Sequence, residues 1–171
     1  MISFLGWAFL LLILWVIFSS FFHSQLMALH YSIIVPQTRI SGWLLNLAGF
    51  YTDIHFSHGH YMGQLYIEGQ TGVLIGSGCS GLELFLIFAG FIFIFRGTLK
   101  HKFWFIPMGL ILILALNILR ISALALISYY SPEHLDFNHK YTFVVIVYGA
   151  IFLLWLWWVN RFSNRKVGKD G

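Results

Sequence analysis

Cys79, the only cysteine of the chain, lies in the stretch GSGCSGLELF (residues 76–85), between small residues and before an apolar run. A thiol at the N-terminus of a helix lies near the positive end of the helix dipole, which favours the thiolate. A thiolate can attack an acyl carbon and form a thioester. Gly78 and Gly81 would leave room for a substrate backbone. A lone cysteine in apolar surroundings is more often a small hydrophobic residue, so other residues must decide its role.

Two further side chains could complete a nucleophilic site. Arg120 lies inside a long apolar run, and His139 comes directly before another. A guanidinium can stabilise an oxyanion, and an imidazole can take a proton from a thiol and return it to a leaving amine. Asn117, one helical turn before Arg120, could orient it. The alternatives are an Arg120 that extends to the membrane interface and a His139 that is solvated.

Three residues that follow Cys79 could assist it. The backbone N–H groups of Ser80 and Gly81, at the start of a predicted helix, could bind an oxyanion. Glu83 is four residues after Cys79 and therefore on the same helix face. It could pair with Arg120 or form a hydrogen bond within the helix bundle.

Composition places these residues in a membrane protein. The chain has 171 residues, of which 59% are hydrophobic and 9% are charged, whereas about 25% are charged in soluble domains. We expect one membrane-embedded domain over residues 1–160 and a basic cytoplasmic tail over residues 161–171. One cysteine excludes an internal disulfide and a zinc site built from cysteines alone. The net charge of +4 comes from residues that flank apolar runs, so it does not indicate nucleic-acid binding.

The predicted fold class is an all-α integral membrane protein with a bundle of about four transmembrane helices. The runs long enough to span are Ser3–Phe22, Ser80–Phe95, Phe103–Tyr129 and Tyr141–Val159. The first run lacks a preceding Lys or Arg and a cleavage site, which favours a retained helix over a signal peptide. Residues 24–50 predict an extracytoplasmic helix that starts near Pro36 and is either interfacial or re-entrant. A short β-hairpin-like segment is predicted around residues 68–70.

The distribution of basic residues predicts the orientation of the chain. Seven of the ten lie in the loop after the second run or in the C-terminal tail: Arg96, Lys100, Lys102, Arg161, Arg165, Lys166 and Lys169. The positive-inside rule therefore places both termini in the cytoplasm. Arg120 lies roughly 26 Å along the third helix, close to the outer edge of the hydrocarbon core. Cys79, Arg120 and His139 are thus expected at one depth on the extracytoplasmic side.

Three motifs resemble those of the exosortase/archaeosortase family over about residues 60–155. The chain has Cys79-Ser80-Gly81 at a helix start, NILRI (residues 117–121) in the next helix, and His139 ahead of a helix with Phe143 and Gly149. The four predicted spans are similar to a short bacterial branch, whereas many members have about eight. His134 is a rival for the histidine position, but His139 directly precedes the helix.

The resemblance implies a membrane-embedded cysteine protease or transpeptidase in the bacterial plasma membrane. Cys79 would be the nucleophile, with Arg120 and His139 assisting, and no metal or other cofactor is expected. The expected substrates are exported proteins with a C-terminal sorting tail, which consists of a short motif, a transmembrane helix and a basic cluster. The enzyme would cut near the motif, form a thioacyl intermediate and pass the new carboxyl end to an acceptor. Tethering by the membrane would raise the effective concentration of the substrate.

Two other functions remain open from the residues. The stretch HFSHGH contains His55, His58 and His60, whose imidazoles could bind zinc or copper. A polar loop with solvated histidines explains the same stretch. A non-enzymatic membrane subunit is the other possibility, and it would tolerate replacement of Cys79, Arg120 or His139.

Overall fold

The computed structural model describes the backbone of residues 2–57, 60–69, 72–95 and 97–163, and side chains within residues 25–162 of those ranges. The principal elements, in chain order, are α1 (Ile2–Leu47), β1 (Thr52–Ser57), β2 (Met62–Ile67), β3 (Val73–Ile75), a 3₁₀ turn (Ser77–Cys79), α2 (Leu82–Ile94), α3 (Leu99–Tyr130), a 3₁₀ turn (Pro132–His134), the single turn α4 (Leu135–Phe137), a π-helical turn (Asn138–Thr142), α5 (Phe143–Trp158) and a final π-helical turn (Val159–Ser163).

The first helix is longer than predicted. The expected separate helix near Pro36 is the C-terminal part of α1, which continues from Ile2 to Leu47. Proline lacks a backbone N–H and usually ends or kinks a helix. Here Gln37 and Ser41, on the turns that follow Pro36, form hydrogen bonds with residues outside α1. These tertiary contacts stabilise the helix beyond the proline and override the local signal.

The predicted β-hairpin is confirmed as strands β2 and β3, but it is part of a three-stranded antiparallel sheet. The additional strand is β1, in a stretch that the sequence indicated to be a polar loop. β1 pairs with β2 along its whole length, with Thr52 opposite Ile67 and Ser57 opposite Met62. Alternate side chains of β2 and β3 are buried, so one face of the sheet packs on the helices.

Two segments of the described residues are long and apolar enough to cross a membrane, namely Leu99–Tyr130 and Pro132–Phe162. They contain the predicted third and fourth spans. α2 is apolar but has only 13 residues. The first predicted span lies within α1, where only its backbone is described, so the count of four spans stays a prediction. Most of the predicted basic tail lies outside the described residues.

The helices α3 and α5 run antiparallel. Phe105, early in α3, packs on Trp158 at the end of α5, with ring centroids 4.9 Å apart. Arg120, late in α3, contacts His139, which precedes α5. The two polar residues therefore lie at the same end of the bundle, as the predicted topology requires.

Two clusters of buried side chains divide the molecule. One joins α1, the sheet and the late part of α3, and it includes Cys79, Ile34, Leu65, Ile75, Ile121 and Leu124. The other joins α2, the early part of α3 and α5, around Phe88, Phe105 and Trp158. Cys79 itself belongs to the first cluster, so apolar packing holds the backbone around it in place.

Gly109 allows α2 and α3 to approach closely. A Cβ at this position would lie 2.1 Å from Cζ of Phe88, which is fully buried. We expect Gly109→Ala to lower the free energy of unfolding by about 1–3 kcal/mol, because the ring must move within a packed core. Gly149→Ala in α5 is the control, since nothing lies within 4 Å of its added Cβ. Thermal unfolding in detergent measures both, and equal melting temperatures would contradict the packing described.

Candidate active site

The structure brings Cys79, Arg120 and His139 together at the sheet end of the bundle. The Sγ atom of Cys79 lies 3.7 Å from Nε2 of His139. The Nη2 atom of Arg120 lies 3.1 Å from the same ring nitrogen. Each residue comes from a different element: the 3₁₀ turn before α2, the late part of α3, and the π-helical turn before α5. Such π-helical turns occur frequently at functional sites.

The contact with Arg120 determines which nitrogen of His139 carries a proton. A guanidinium has only N–H donors, so Nε2 must accept the hydrogen bond. In this arrangement the imidazole is neutral and its proton is on Nδ1. An unprotonated Nε2 beside a thiol is the form that a general base requires.

Most of the donor capacity of Arg120 is unused. The guanidinium contacts His139 through Nη2, while its buried Nε–H has no hydrogen-bond partner among the described residues. An unpaired buried donor is unfavourable, and at functional sites it often indicates a missing ligand. Within the described part of the chain, Arg120 therefore has N–H groups that form no hydrogen bond.

The thiol of Cys79 is protonated in this arrangement. Cys79 is only 6% exposed, and burial raises the pKa of its thiol above the usual 9.0. The positive charge of Arg120 and a hydrogen bond with the backbone of Gly76 act in the opposite direction but are smaller effects. The expected thiolate at a helix N-terminus is therefore not the resting state, and the thiol needs a base to remove its proton.

Ser80 has a different role from the one predicted. Its backbone N–H donates to the carbonyl of Ser77 at 3.0 Å, so it is not available for an oxyanion. Its hydroxyl lies 2.7 Å from Nδ1 of His30 and accepts a hydrogen bond from the N–H of Leu82 at 3.2 Å. Ser80 thus anchors the turn that carries Cys79. Gly81 has a φ of +76°, a left-handed conformation that glycine adopts without strain.

Asn117 does not orient Arg120, as the sequence had suggested. Its Nδ2 donates to the carbonyl of Cys79 at 2.5 Å and to Oε1 of Gln37 at 2.6 Å. Asn117 lies on the face of α3 that packs against α1 and the 3₁₀ turn Ser77–Cys79, where it is fully buried. It holds the backbone of the thiol rather than the guanidinium.

Gln37 and His30 were missed from the sequence. Both are buried and contact Ser80. A signal was present, because His30, Gln37 and Ser41 recur at intervals of seven and four residues on one face of α1. Polar side chains on such a face need partners within the protein.

The remaining candidates lie apart from Cys79. Glu83 is exposed, and within the described part of the chain it forms no ion pair with Arg120 or any other residue. His134 is exposed and pairs with Glu133 at 3.1 Å. Of the two candidate histidines, only His139 contacts the thiol.

The histidine-rich stretch shows no metal site in the described residues. His55 lies on β1 and pairs with Asp53 at 3.0 Å, and His60 is 3.4 Å from the hydroxyl of Ser57. His58 lies outside the described residues. Among those that are described, no group of three His, Cys, Asp or Glu side chains could hold a metal ion.

Comparison with known proteins identifies one family. A family model described as transmembrane exosortase (Exosortase_EpsH) matches residues 2–159, which is more than half of the chain. No curated protein and no solved structure matches significantly.

The raised pKa of Cys79 predicts how its alkylation depends on pH. Only the thiolate reacts, so the rate with iodoacetamide should rise with pH through a midpoint above that of a free cysteine peptide. Arg120→Gln should move the midpoint still higher, because it removes a positive charge that lowers the pKa. Since Cys79 is the only cysteine, mass spectrometry of the intact protein reports this site alone, and Cys79→Ser provides the blank. A midpoint below that of the peptide would contradict the burial of the thiol.

Proposed function

We propose that this chain, which belongs to the transmembrane exosortase family, cleaves C-terminal sorting tails through a thioester on Cys79. The family comprises membrane-embedded, cysteine-dependent transpeptidases or proteases that act on exported proteins with C-terminal sorting signals. In our proposal Cys79 is the nucleophile, His139 the general base and acid, and Arg120 the oxyanion-binding group. No metal or other cofactor takes part.

The observation that carries the proposal is the convergence of Cys79 and Arg120 on one nitrogen of His139. The distances to Nε2 are 3.7 Å from the thiol and 3.1 Å from the guanidinium. A protonated thiol, a neutral imidazole and a cation with unused donors are the groups that acyl transfer to sulfur requires. They lie far apart in sequence, so local folding alone does not explain their proximity.

In the first half of the reaction, Nε2 of His139 takes the thiol proton as Sγ attacks the carbonyl carbon of the scissile peptide. Once protonated, Nε2 can no longer accept a hydrogen bond from Arg120. The guanidinium is therefore released and can donate to the oxyanion of the tetrahedral intermediate. The C–N bond then breaks, and the imidazolium gives its proton to the leaving amine. The products are a thioester on Cys79 and the released C-terminal tail.

In the second half, an acceptor nucleophile attacks the thioester carbonyl. His139 takes the proton of the acceptor, Arg120 again donates to the oxyanion, and the C–S bond breaks. The sulfur leaves as a thiolate, which regains its proton from His139. Water as the acceptor gives hydrolysis, whereas an amine or hydroxyl gives a transferred product. The enzyme is restored in either case.

The proposed location is the plasma membrane, with the site on the extracytoplasmic side and both termini in the cytoplasm. The basic loop and tail support this orientation through the positive-inside rule. A substrate anchored by its own transmembrane helix would carry its sorting motif at the depth of Cys79. Restriction to the membrane then supplies the high effective concentration that a single weak motif needs.

Replacement of His139 should abolish processing, whereas replacement of His134 should not. We expect His139→Gln to lower the rate by about 10²-fold or more, because the base and acid are lost. His134→Gln is the matched control, since this exposed histidine lies five residues earlier and its side chain pairs with Glu133 rather than with Cys79 or Arg120. The measurement is cleavage of a co-expressed tail-bearing protein, followed by electrophoresis.

Cys79→Ala and Cys79→Ser should stop the same cleavage while leaving the protein in the membrane. The wild type should carry a mass adduct of the substrate on Cys79 that hydroxylamine removes, as expected for a thioester. Normal processing by either variant would refute the cysteine mechanism. Equal loss in the two histidine variants would refute the assignment of His139.

The proposed orientation predicts which end of the bundle an impermeant reagent reaches. In a Cys79→Ser background, Met62→Cys on β2 should react with a membrane-impermeant maleimide in spheroplasts. Leu99→Cys lies at the start of α3, at the end of the bundle far from the sheet, and should react only after lysis. Both side chains are exposed, at 38% and 63%. The reverse labelling pattern would invert the proposed topology.

A further inference from the structure

A buried ring of hydrogen bonds encloses the peptide bond between Cys79 and Ser80. Asn117 Nδ2 donates to the carbonyl of Cys79 and to Gln37 Oε1, at 2.5 and 2.6 Å. Gln37 Nε2 donates to the carbonyl of Ser80 at 2.9 Å. Two side-chain amides, one from α1 and one from α3, thus hold two successive carbonyls.

The orientation of both amides is determined by the chemistry of their partners. A carbonyl oxygen only accepts hydrogen bonds, so Asn117 must present Nδ2 to Cys79. The same Nδ2 can then meet only the oxygen of the Gln37 amide. This leaves Nε2 of Gln37 for Ser80, so reversing either amide would break the ring.

Gln37 and Asn117 are at most 1% exposed, so water cannot replace these bonds. Loss of one partner would leave a carbonyl or an amide unpaired in a dry environment. The Cys79–Ser80 turn therefore has one favourable position relative to α1 and α3. In that position Sγ of Cys79 lies 3.7 Å from Nε2 of His139.

His30 and Ser80 extend the ring but do not form a second nucleophilic pair. Their side chains are 2.7 Å apart, which resembles a catalytic serine and histidine. Ser80 is fully buried, however, and its hydroxyl also accepts the N–H of Leu82. A hydroxyl without access to substrate can only anchor the turn.

We infer that Gln37 is a positioning residue for the nucleophile, which fixes Cys79 relative to His139 and Arg120 through the Cys79–Ser80 backbone. This inference deepens the proposed function and rests on it for its kinetic consequences. A nucleophile displaced by about 1 Å loses on the order of 10²-fold in rate, since attack depends on near-contact geometry. Substrate binding need not change, because Gln37 is buried away from any substrate.

The test compares Gln37→Met with Thr38→Val in the full-length protein in detergent. Methionine keeps the length of glutamine and removes both hydrogen-bonding groups. Thr38 is the matched control, since it is buried on the same helix and, among the described residues, its hydroxyl donates to the carbonyl of Ile34 within α1 and to no group near Cys79. The kinetic measurement is kcat and KM for cleavage of a synthetic tail-bearing peptide in mixed micelles. We expect Gln37→Met to lower kcat by about tenfold or more and KM to stay within about threefold, whereas Thr38→Val leaves both near wild type.

A second measurement needs no enzymatic activity. The difference in the pH midpoint of Cys79 alkylation between the wild type and Arg120→Gln should depend on the distance between the thiol and the guanidinium, because the charge effect weakens with distance. That shift should fall to less than about half in the Gln37→Met background and persist in the Thr38→Val background. Gln37→Asn keeps the amide but is one methylene too short to reach Ser80, so it should behave like Gln37→Met. It replaces Gln37→Met in both measurements if the methionine variant does not fold.

The kinetic and alkylation measurements distinguish failure of the role inferred for Gln37 from failure of the proposed function. A kcat within about twofold of wild type, together with an unchanged alkylation shift, overturns the inference, even if the melting temperature falls. If the wild type cleaves no tail-bearing substrate, the proposed function fails. The alkylation cycle then still decides whether Gln37 positions the thiol.

Discussion

The site depends on one ring nitrogen that two groups approach at once. Nε2 of neutral His139 has a single lone pair, and both the thiol of Cys79 and the guanidinium of Arg120 lie next to it. Only one of them can donate to it at a time. Proton transfer from the thiol therefore also removes the hydrogen bond that holds the guanidinium. In the proposed mechanism, this competition links removal of the thiol proton to release of the guanidinium for the oxyanion.

This competition requires the backbones that carry Cys79, Arg120 and His139 to be held in fixed relative positions. The antiparallel packing of α3 and α5 brings Arg120 and His139 to one level. The 3₁₀ turn with Cys79 has no such helical constraint, because it lies between a short strand and α2. Amide side chains from α1 and α3 hold it instead. In a membrane protein these bonds are effective because neither lipid nor water competes well for them once the sheet covers this end.

Several features could be predicted from the residues alone. The apolar runs predicted the positions of α2, α3 and α5. The basic residues that flank these runs predicted that Cys79, Arg120 and His139 lie at one depth. The contacts among them could not be derived, since depth says nothing about lateral position. Strand β1 was missed because its polar residues, including aspartate, which is uncommon in strands, suggested a loop, yet pairing with β2 satisfies its backbone. The role of Asn117 was misassigned because its sequence neighbour Arg120 is not its neighbour in space. Gln37 was overlooked because Pro36 suggested a new helix, although the polar face of α1 continues through it.

A protonated resting thiol is an advantage where the proposed site lies. On the extracytoplasmic side no reducing pool protects a thiolate, and oxidation to a sulfenic acid or a mixed disulfide follows thiolate character and exposure. Cys79 is 6% exposed, and burial raises the pKa of its thiol. The helix N-terminus and Arg120 alone would favour the reactive form at all times. Because burial outweighs them, the proposed mechanism has the thiolate form mainly when His139 takes the proton in the presence of a substrate carbonyl. In the proposed mechanism, the burial that slows oxidation also makes a base necessary, and the N–H groups of Arg120 can donate to His139 only while Nε2 is unprotonated.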